Sequence, residues 1–338
     1  MSASIFNDVI GPVMRGPSSS HCAAANRIGR LARDFMDGDI TRILVEYDKS
    51  GSLATTHKSQ GSDMGLFGGL VGMDPVDDRL VDSETLIKQA GIEVDIQIKD
   101  FDDPHPNTYR LDLTGRNERH SIKAISAGGG MIEIISVDGI ALSIEGDYWE
   151  TLIFADADAH IESAVKDLRK RLDCEQVLIL ESKGQLLIEA KSQSKPEERV
   201  IEFIKAENGI KLIKILKPVL PILSAKNISV PFNNCGEMLE YNAGKNLSMW
   251  ELAAEYESCR GNISKQQVVD RMVDIVRIVK GSIAEGIKGT KYEDRILGYQ
   301  SGRFNEKMQA GKIPDAGVSN QIILYVTSLM EMKSSMGI

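Results

Sequence analysis

The chain has few cysteines for its 338 residues, and Cys22, Cys174, Cys235 and Cys259 stand far apart with no C-x-x-C pair. That excludes a zinc or disulfide framework, fits a reducing compartment, and argues against a complete all-cysteine iron–sulfur site in this chain alone. Basic charge is also short. A net charge of -9 leaves no general surface for a phosphate backbone. Met1 to Gly16 lacks the basic region and apolar core of a secretory signal. The longest apolar-looking stretch, Leu212 to Leu223, carries Lys214, Lys217, Pro218 and Pro221 and so cannot span a membrane. A cytoplasmic protein is the expectation. No internal repeat and no low-complexity segment is present. What remains is an ordinary globular composition, 42% hydrophobic and 26% charged, long enough for two or three domains.

The most informative stretch is Gly16-Pro17-Ser18-Ser19-Ser20-His21. Beyond it Ala25, Ile28, Leu31, Ala32 and Phe35 recur at helical spacing, so the serines sit where a helix begins. The first N–H groups of a helix lack intrahelical partners, and the macrodipole adds positive charge there. The serine hydroxyls supply further donors. One reading is an N-cap with spare serines. The other is a carboxylate or phosphate pocket with a titratable His21 at its rim.

Ile40 to Asp48 alternates Ile43, Val45 and Tyr47 with polar residues and predicts a half-buried strand. After a turn at Ser50-Gly51-Ser52, a polar segment with Lys58 and Gln60 leads to a second helix, capped at Ser62 or Asp63 and ending near Gly72. Strands are expected at Ile92–Lys99, Tyr109–Leu113, His120–Ser126 and Met131–Val137. Between two of them, prolines on both sides of His105 restrict its swing, as a ligand-facing group or as a rigid surface turn would require. The run Gly128-Gly129-Gly130 lets backbone approach a ligand or a packed helix.

From Tyr148 the pattern becomes strand (151–155), helix (160–172), two strands (176–181, 185–190), helix (196–207) and strand (210–216). This β-α-β-β-α-β order is that of the ferredoxin-like unit, and it resembles an ACT-type regulatory domain. Asp156, Asp158 and His160 at its first turn read as helix-start residues rather than metal ligands. Leu216 to Lys245, rich in Pro and Asn, predicts a linker. Three helices follow: Met249–Tyr256, one starting at the Ser264 cap with Val268, Met272, Ile275, Val276, Val279, Ile283 and Ile287 on one face, and Val318–Met332. The last has little polar surface and should be buried against helices this chain does not supply.

With these residues in hand a family resemblance can be stated. Residues 1 to about 145 resemble the β domain of the iron–sulfur-dependent bacterial L-serine dehydratases. The shared elements are Ile10-Gly11-Pro12, Gly16 to His21, His105-Pro106-Asn107 and Gly128 to Gly130, in that order. Residues from about 245 on resemble, more weakly, the start of the α domain, with Leu247 to Glu257 and Ser334 to Ile338 the clearest matches. The implied architecture is α+β: a β-type substrate-binding domain (1–147), an ACT-like domain (148–219), a linker (220–245) and a helical start of the α domain (246–338).

The resemblance implies an ammonia-lyase acting on a small β-hydroxy or β-thio amino acid such as L-serine. In that family the α domain continues into a Pro-Thr-Ala-Gly-Ser-Cys-Gly loop that begins the cysteine ligands of a four-iron four-sulfur cluster. Here the cluster is expected on a partner α-type subunit, with no metal ligand in this chain; a truncated, non-catalytic product is the alternative. His21 or His105 would move protons or hydrogen-bond the substrate. Ser18, Ser19, Ser20, Lys58, Gln60, Ser62, Asp63, Asn107, Thr108, Gly128, Gly129 and Gly130 would bind it. Where the family has Lys-Gly-His-Gly-Thr-Asp, this chain reads Lys58-Ser59-Gln60-Gly61-Ser62-Asp63. Gln60 cannot titrate, and His57, three residues earlier, is the nearest replacement. The same β domain also resembles the allosteric substrate-binding domain of some phosphoglycerate dehydrogenases, which makes a non-catalytic amino-acid-binding regulator the rival expectation.

Overall fold

Alternation places Ile43, Val45 and Tyr47 on the buried face of β1 (Arg42–Asp48). The computed structural model describes residues 2–156, 162–171, 174–182, 184–225, 228–289 and 297–335. Ahead of β1 stand a π-helical turn, Ile5–Val9, and helix α1 (Ser19–Phe35). After it come α2 (Leu53–Thr56), α3 (Ser62–Leu70), α4 (Ser83–Gln89), β2 (Glu93–Lys99), β3 (Thr108–Thr114), β4 (Arg119–Gly128), β5 (Met131–Val137) and β6 (Ile140–Ile144). The six strands pair in the order β2-β1-β3-β4-β5-β6, with β1 and β2 parallel and the other neighbours antiparallel. The apolar stripe of α1 (Ala25, Ile28, Leu31, Phe35) lies on this sheet and shares a core with Val45, Leu111, Ile122 and Ile134.

The second sheet is built from β7 (Trp149–Asp156), α5 (Glu162–Arg171), β8 (Cys174–Ser182), β9 (Gln185–Ser192), α6 (Glu198–Lys205) and β10 (Ile210–Leu216). Its strands pair β10-β7-β9-β8, all antiparallel. On one face Ile153, Ile188 and Ala190 meet Val165, Leu168, Val200 and Ile204 of the two helices. On the other, Leu152, Phe154, Leu187 and Leu216 enter the core of the first sheet, where Phe154 stands edge-on to Phe35 at 6.1 Å. Buried Lys214 on that face donates to Asp37 and Glu118, each at 2.7 Å. Asp156 pairs with Lys211, while Asp158 and His160 lie outside the described residues.

The segment expected to be a linker is anchored. Val219 and Leu220 donate to the Gly146 carbonyl, and the Asn7 amide both donates to and accepts from the Ile222 backbone. Helix α7 (Cys235–Asn242) forms inside it, started by the Asn234 side chain, which accepts from the Glu237 N–H. Then come α8 (Met249–Gly261), α9 (Lys265–Lys288), α10 (Ser301–Gln309) and α11 (Val318–Lys333). Ser264 and Gln267 form a reciprocal capping box at the start of α9. Buried Glu257 of α8 accepts from the Ser4 hydroxyl and the Ile5 N–H, which ties the amino-terminal turn to the helical part.

The apolar helix α11 is not buried as expected. Its Ser328 and Glu331 point inward, Ser328 donating to the Ile283 carbonyl and Glu331 accepting from the Ser301 N–H and hydroxyl. Ile322, Ile323 and Val326 face out. The molecule is thus a mixed α and β protein with two sheets and a helical carboxy-terminal part. Among the described residues, no helix is long and apolar enough to cross a membrane.

Candidate functional site

Antiparallel pairing carries most of the candidate segments to one end of the first sheet. β1 ends there at Tyr47 and Asp48, β3 begins there at Thr108, opposite Ile125, and the Gly128–Gly130 hairpin follows at the end of β4. The His105–Asn107 loop is tied to both sides: the Ser52 N–H donates to the Pro106 carbonyl (2.9 Å) and the Ser126 N–H to the Asn107 carbonyl (3.0 Å). Helices α1 and α3 start next to this end, side by side, where the Ser18 N–H meets the Gln60 carbonyl at 3.3 Å. Their closeness is a property of glycine. A Cβ on Gly65 would overlap the Cys22 carbonyl, and one on Gly69 the Asn26 carbonyl. The residue that leads into α3 is Gly61 in the left-handed conformation, φ 83°, in place of the expected Ser62 or Asp63 cap. Ser62 is fully buried, its hydroxyl beside the Tyr109 phenol.

Ser18 occupies the N-cap position of α1 with extended backbone, yet its side chain makes no capping bond. The hydroxyl is 2.9 Å from His21 Nδ1 instead. The N–H groups of the first turn are therefore left without a side-chain cap, which is the condition for receiving an anion. Burial lowers the pKa of His21, which favours the neutral imidazole.

A second histidine is also positioned. His57 Nδ1 lies 2.7 Å from an Asp63 oxygen, and its ring stacks obliquely on Tyr47 with centroids 5.2 Å apart. Burial raises the Asp63 pKa against the opposing bond from His57. Tyr47 is held well above its ordinary value by burial and by its neighbours Tyr109 and Asp63. His57, Lys58, Asp63 and Pro17 line a cavity of ≈ 820 Å³ together with residues of α4 and β2. Sequence reasoning named Lys58 and Asp63 but took Tyr47 for core and passed over the hydroxyl of Tyr109. Two tyrosines at inward strand positions were the available signal.

The remaining candidates brace the loop. The Asn107 N–H donates to His105 Nδ1 (3.1 Å), which fixes that nitrogen as an acceptor and leaves the proton of the neutral ring on Nε2. Thr108 donates to the His105 carbonyl (2.8 Å), and the Ser52 hydroxyl donates to the Asn107 side chain. Gly128, Gly129 and Gly130 all have positive φ (103°, 60° and 85°), as this hairpin requires. The Gly130 carbonyl accepts from Arg27.

The candidates do not all share one cavity. Ser19, Ser20 and Gly129 line a separate space of ≈ 380 Å³ roofed by α9 and α11. The end of α11 closes onto the serine loop, since a Cβ on Gly16 would overlap the Ser335 carbonyl. No set of three or more His, Cys, Asp or Glu side chains converges on a metal position among the described residues. None of the four cysteines forms a disulfide, and burial pushes the Cys22 thiol up to about 12, far from the thiolate a metal needs.

Two helix starts lie side by side at this end of the sheet, with His21 and His57 each hydrogen-bonded beside them. No protein-family model matches the chain. Over 150 residues, 44% of its length, it is 38% identical to the probable L-serine dehydratase beta chain of Bacillus subtilis (strain 168), covering 67% of that protein. Over 148 residues it is 36% identical to the L-serine dehydratase beta chain of Peptoniphilus asaccharolyticus, covering 66% of it. The chain belongs to the L-serine dehydratase beta-chain family. The similarity takes in less than half of this chain.

Proposed function

We propose that this chain is the substrate-holding subunit of an ammonia-lyase that converts a small β-hydroxy amino acid, with L-serine as the model substrate, to an oxoacid and ammonia, working with an α-type partner. The observation that carries the reading is the diverted hydroxyl of Ser18, which leaves the first turn of α1 open beside the start of α3. The substrate carboxylate would take those N–H groups together with the hydroxyls of Ser19 and Ser20. His21, neutral and hydrogen-bonded to Ser18, would receive the α-proton. That proton passes to the β-hydroxyl, whose C–O bond breaks to release water and leave an enamine, which tautomerises to an imine. Hydrolysis of the imine gives pyruvate and ammonia. His105, Asn107 and Thr108 would act by holding the loop that borders the site.

The four-iron four-sulfur cluster implied by the resemblance does not fit the scattered cysteines of this chain, and we place it on the partner. The second sheet is proposed as an ACT-like unit, and residues 246–338 as the start of an α-type domain. The test is anaerobic co-expression with the neighbouring reading frame, followed by measurement of ammonia and oxoacid. Release from serine is expected, with His21→Asn lowering kcat about a hundredfold or more and Ser18→Ala acting on KM. No release from serine, threonine or cysteine, together with tight amino-acid binding by the lone chain, would overturn the reading in favour of a regulator.

A further inference from the structure

The side chain of Arg27 is 1% exposed, and among the described residues it has one hydrogen-bond acceptor, the uncharged Gly130 carbonyl. Its Nε is buried with no partner. No carboxylate among the described residues pairs with it. Burial, with Arg30 adding like charge, brings its pKa down to about 10. A buried guanidinium without a counter-charge is among the more costly features a fold can retain.

The surroundings supply a space for the missing charge. Arg27 lines a cavity of ≈ 440 Å³ together with Arg30 and Arg271, and its walls include Pro75, Pro218 and Ile275. Two carboxylates also line it, but each is engaged. Asp74 is held by Arg30 at 2.8 Å and Asp274 by Arg277 at 2.6 Å. Arg27 and Arg271 are left over, reaching the cavity from α1 and from α9 respectively. In a chain of net charge -9 this is a local concentration of the opposite sign.

We infer that this cavity binds a small oxyanion-bearing molecule, with the guanidinium of Arg27 as its buried contact and Arg271 closing on it from the helical part. The two spaces adjoin, since Gly11–Val13, Ile275 and Ile278 line both, while Ser19 and Ser20 line only the second. Arg27 and Arg271 have no part in the function proposed for the serine loop, and Arg27 touches that region through the Gly130 carbonyl. A ligand here bridges the amino-terminal domain and α9, so it also fastens the helical part to the sheet. Phosphate and carboxylate share the chemistry that a guanidinium recognises.

The experiment is calorimetric titration of the full chain with inorganic phosphate and, separately, with succinate, at constant ionic strength set by chloride. Saturable binding of one equivalent is expected for at least one of them, and the tighter of the two identifies the head group. Arg271→Gln, an exposed change that should leave the fold intact, is expected to weaken it about tenfold, the size of one charge-assisted bond. Arg27→Lys should weaken it as well, because a point charge cannot reproduce the planar fork. Ser18→Ala should leave it unchanged. Absence of saturable binding by both anions would overturn the inference. So would binding that survives Arg271→Gln but is lost in Ser18→Ala, which would place the anion at the serine loop.

Discussion

A serine at a helix start ordinarily gives its hydroxyl to the backbone, and removing it costs about 1 kcal/mol. The Ser18 hydroxyl lies against His21 Nδ1 instead of the backbone, so Ser18→Ala should change stability by less than ~0.5 kcal/mol. Ser264, which does accept from the Gln267 N–H, should cost the usual ~1 kcal/mol when changed to Ala. Urea unfolding of the two variants side by side checks the contrast, and equal losses would remove the argument for an open helix start. The sequence placed Ser18 to Ser20 at a helix start but carried no sign of where the Ser18 hydroxyl points, because that depends on a neighbour three residues on and on the packing of α3. Arg27 was illegible for a similar reason: it sits among apolar helical positions, and only the hairpin glycines and α9 determine that it is enclosed.

Charge inside the second sheet gives a further expectation at this scale. Glu150 and Glu189 are both fully buried and share one cation, Lys191, at 3.1 Å from each. Burial pushes Glu150 from its ordinary 4.5 up to about 8, against the opposing pull of Lys191. Its folded-state pKa is the higher one, so its contribution is complete below the ordinary value and is lost as pH rises through about 8. The thermal midpoint should therefore fall between about pH 5 and pH 9, and Glu150→Gln should flatten that fall. An unchanged slope in the variant would assign the titration elsewhere.

Among elements, the decisive contact is the crossing of α1 and α3 through glycine. Alanine is the better helix former by about 1 kcal/mol, and Gly281 on α9 has nothing within 4 Å of a built Cβ, so Gly281→Ala should stabilise by up to that amount. Gly65→Ala should do the reverse, destabilising by roughly 1–3 kcal/mol, because its Cβ has no space against the Cys22 carbonyl. Denaturant midpoints of the two variants should move in opposite directions. The long strands, α1 and α9 were readable because their apolar period is sustained over several turns or pleats, and α11 because it is apolar over most of its length. The short β6 was missed although Asp138 and Gly139, both at positive φ, form the two-residue turn that announces a hairpin. Helices α4, α7 and α10 were missed as well: each is nine residues or fewer, too short for periodicity to show. The glycines of Met64–Met73 were read as helix, and their reason, an adjoining helix, was not a local property.

For the whole molecule, α11 poses the remaining question. Hydrophobicity alone predicts a buried helix, yet the chain turns its polar Ser328 and Glu331 inward and leaves Ile322, Ile323, Tyr325, Val326 and Met330 between 44% and 56% exposed. Beside it, Val273, Val276 and Val279 of α9 are also uncovered. Polar groups buried with full partners and apolar ones in solvent describe a surface that is completed by something else. Under the proposed function that is the α-type partner, and the same helix ends against Gly16, so the docking face and the serine loop are mechanically joined. Ile322→Glu with Val326→Glu, one turn apart on the outer face, should weaken association with the partner by about thirtyfold or more, the effect of losing one interface anchor worth about 2 kcal/mol. Neither change touches the inward contacts of Ser328 or Glu331, so the unfolding midpoint of the lone chain should stay where it is. Undiminished association in the double variant would take α11 out of the interface and leave its exposed face without the role assigned to it.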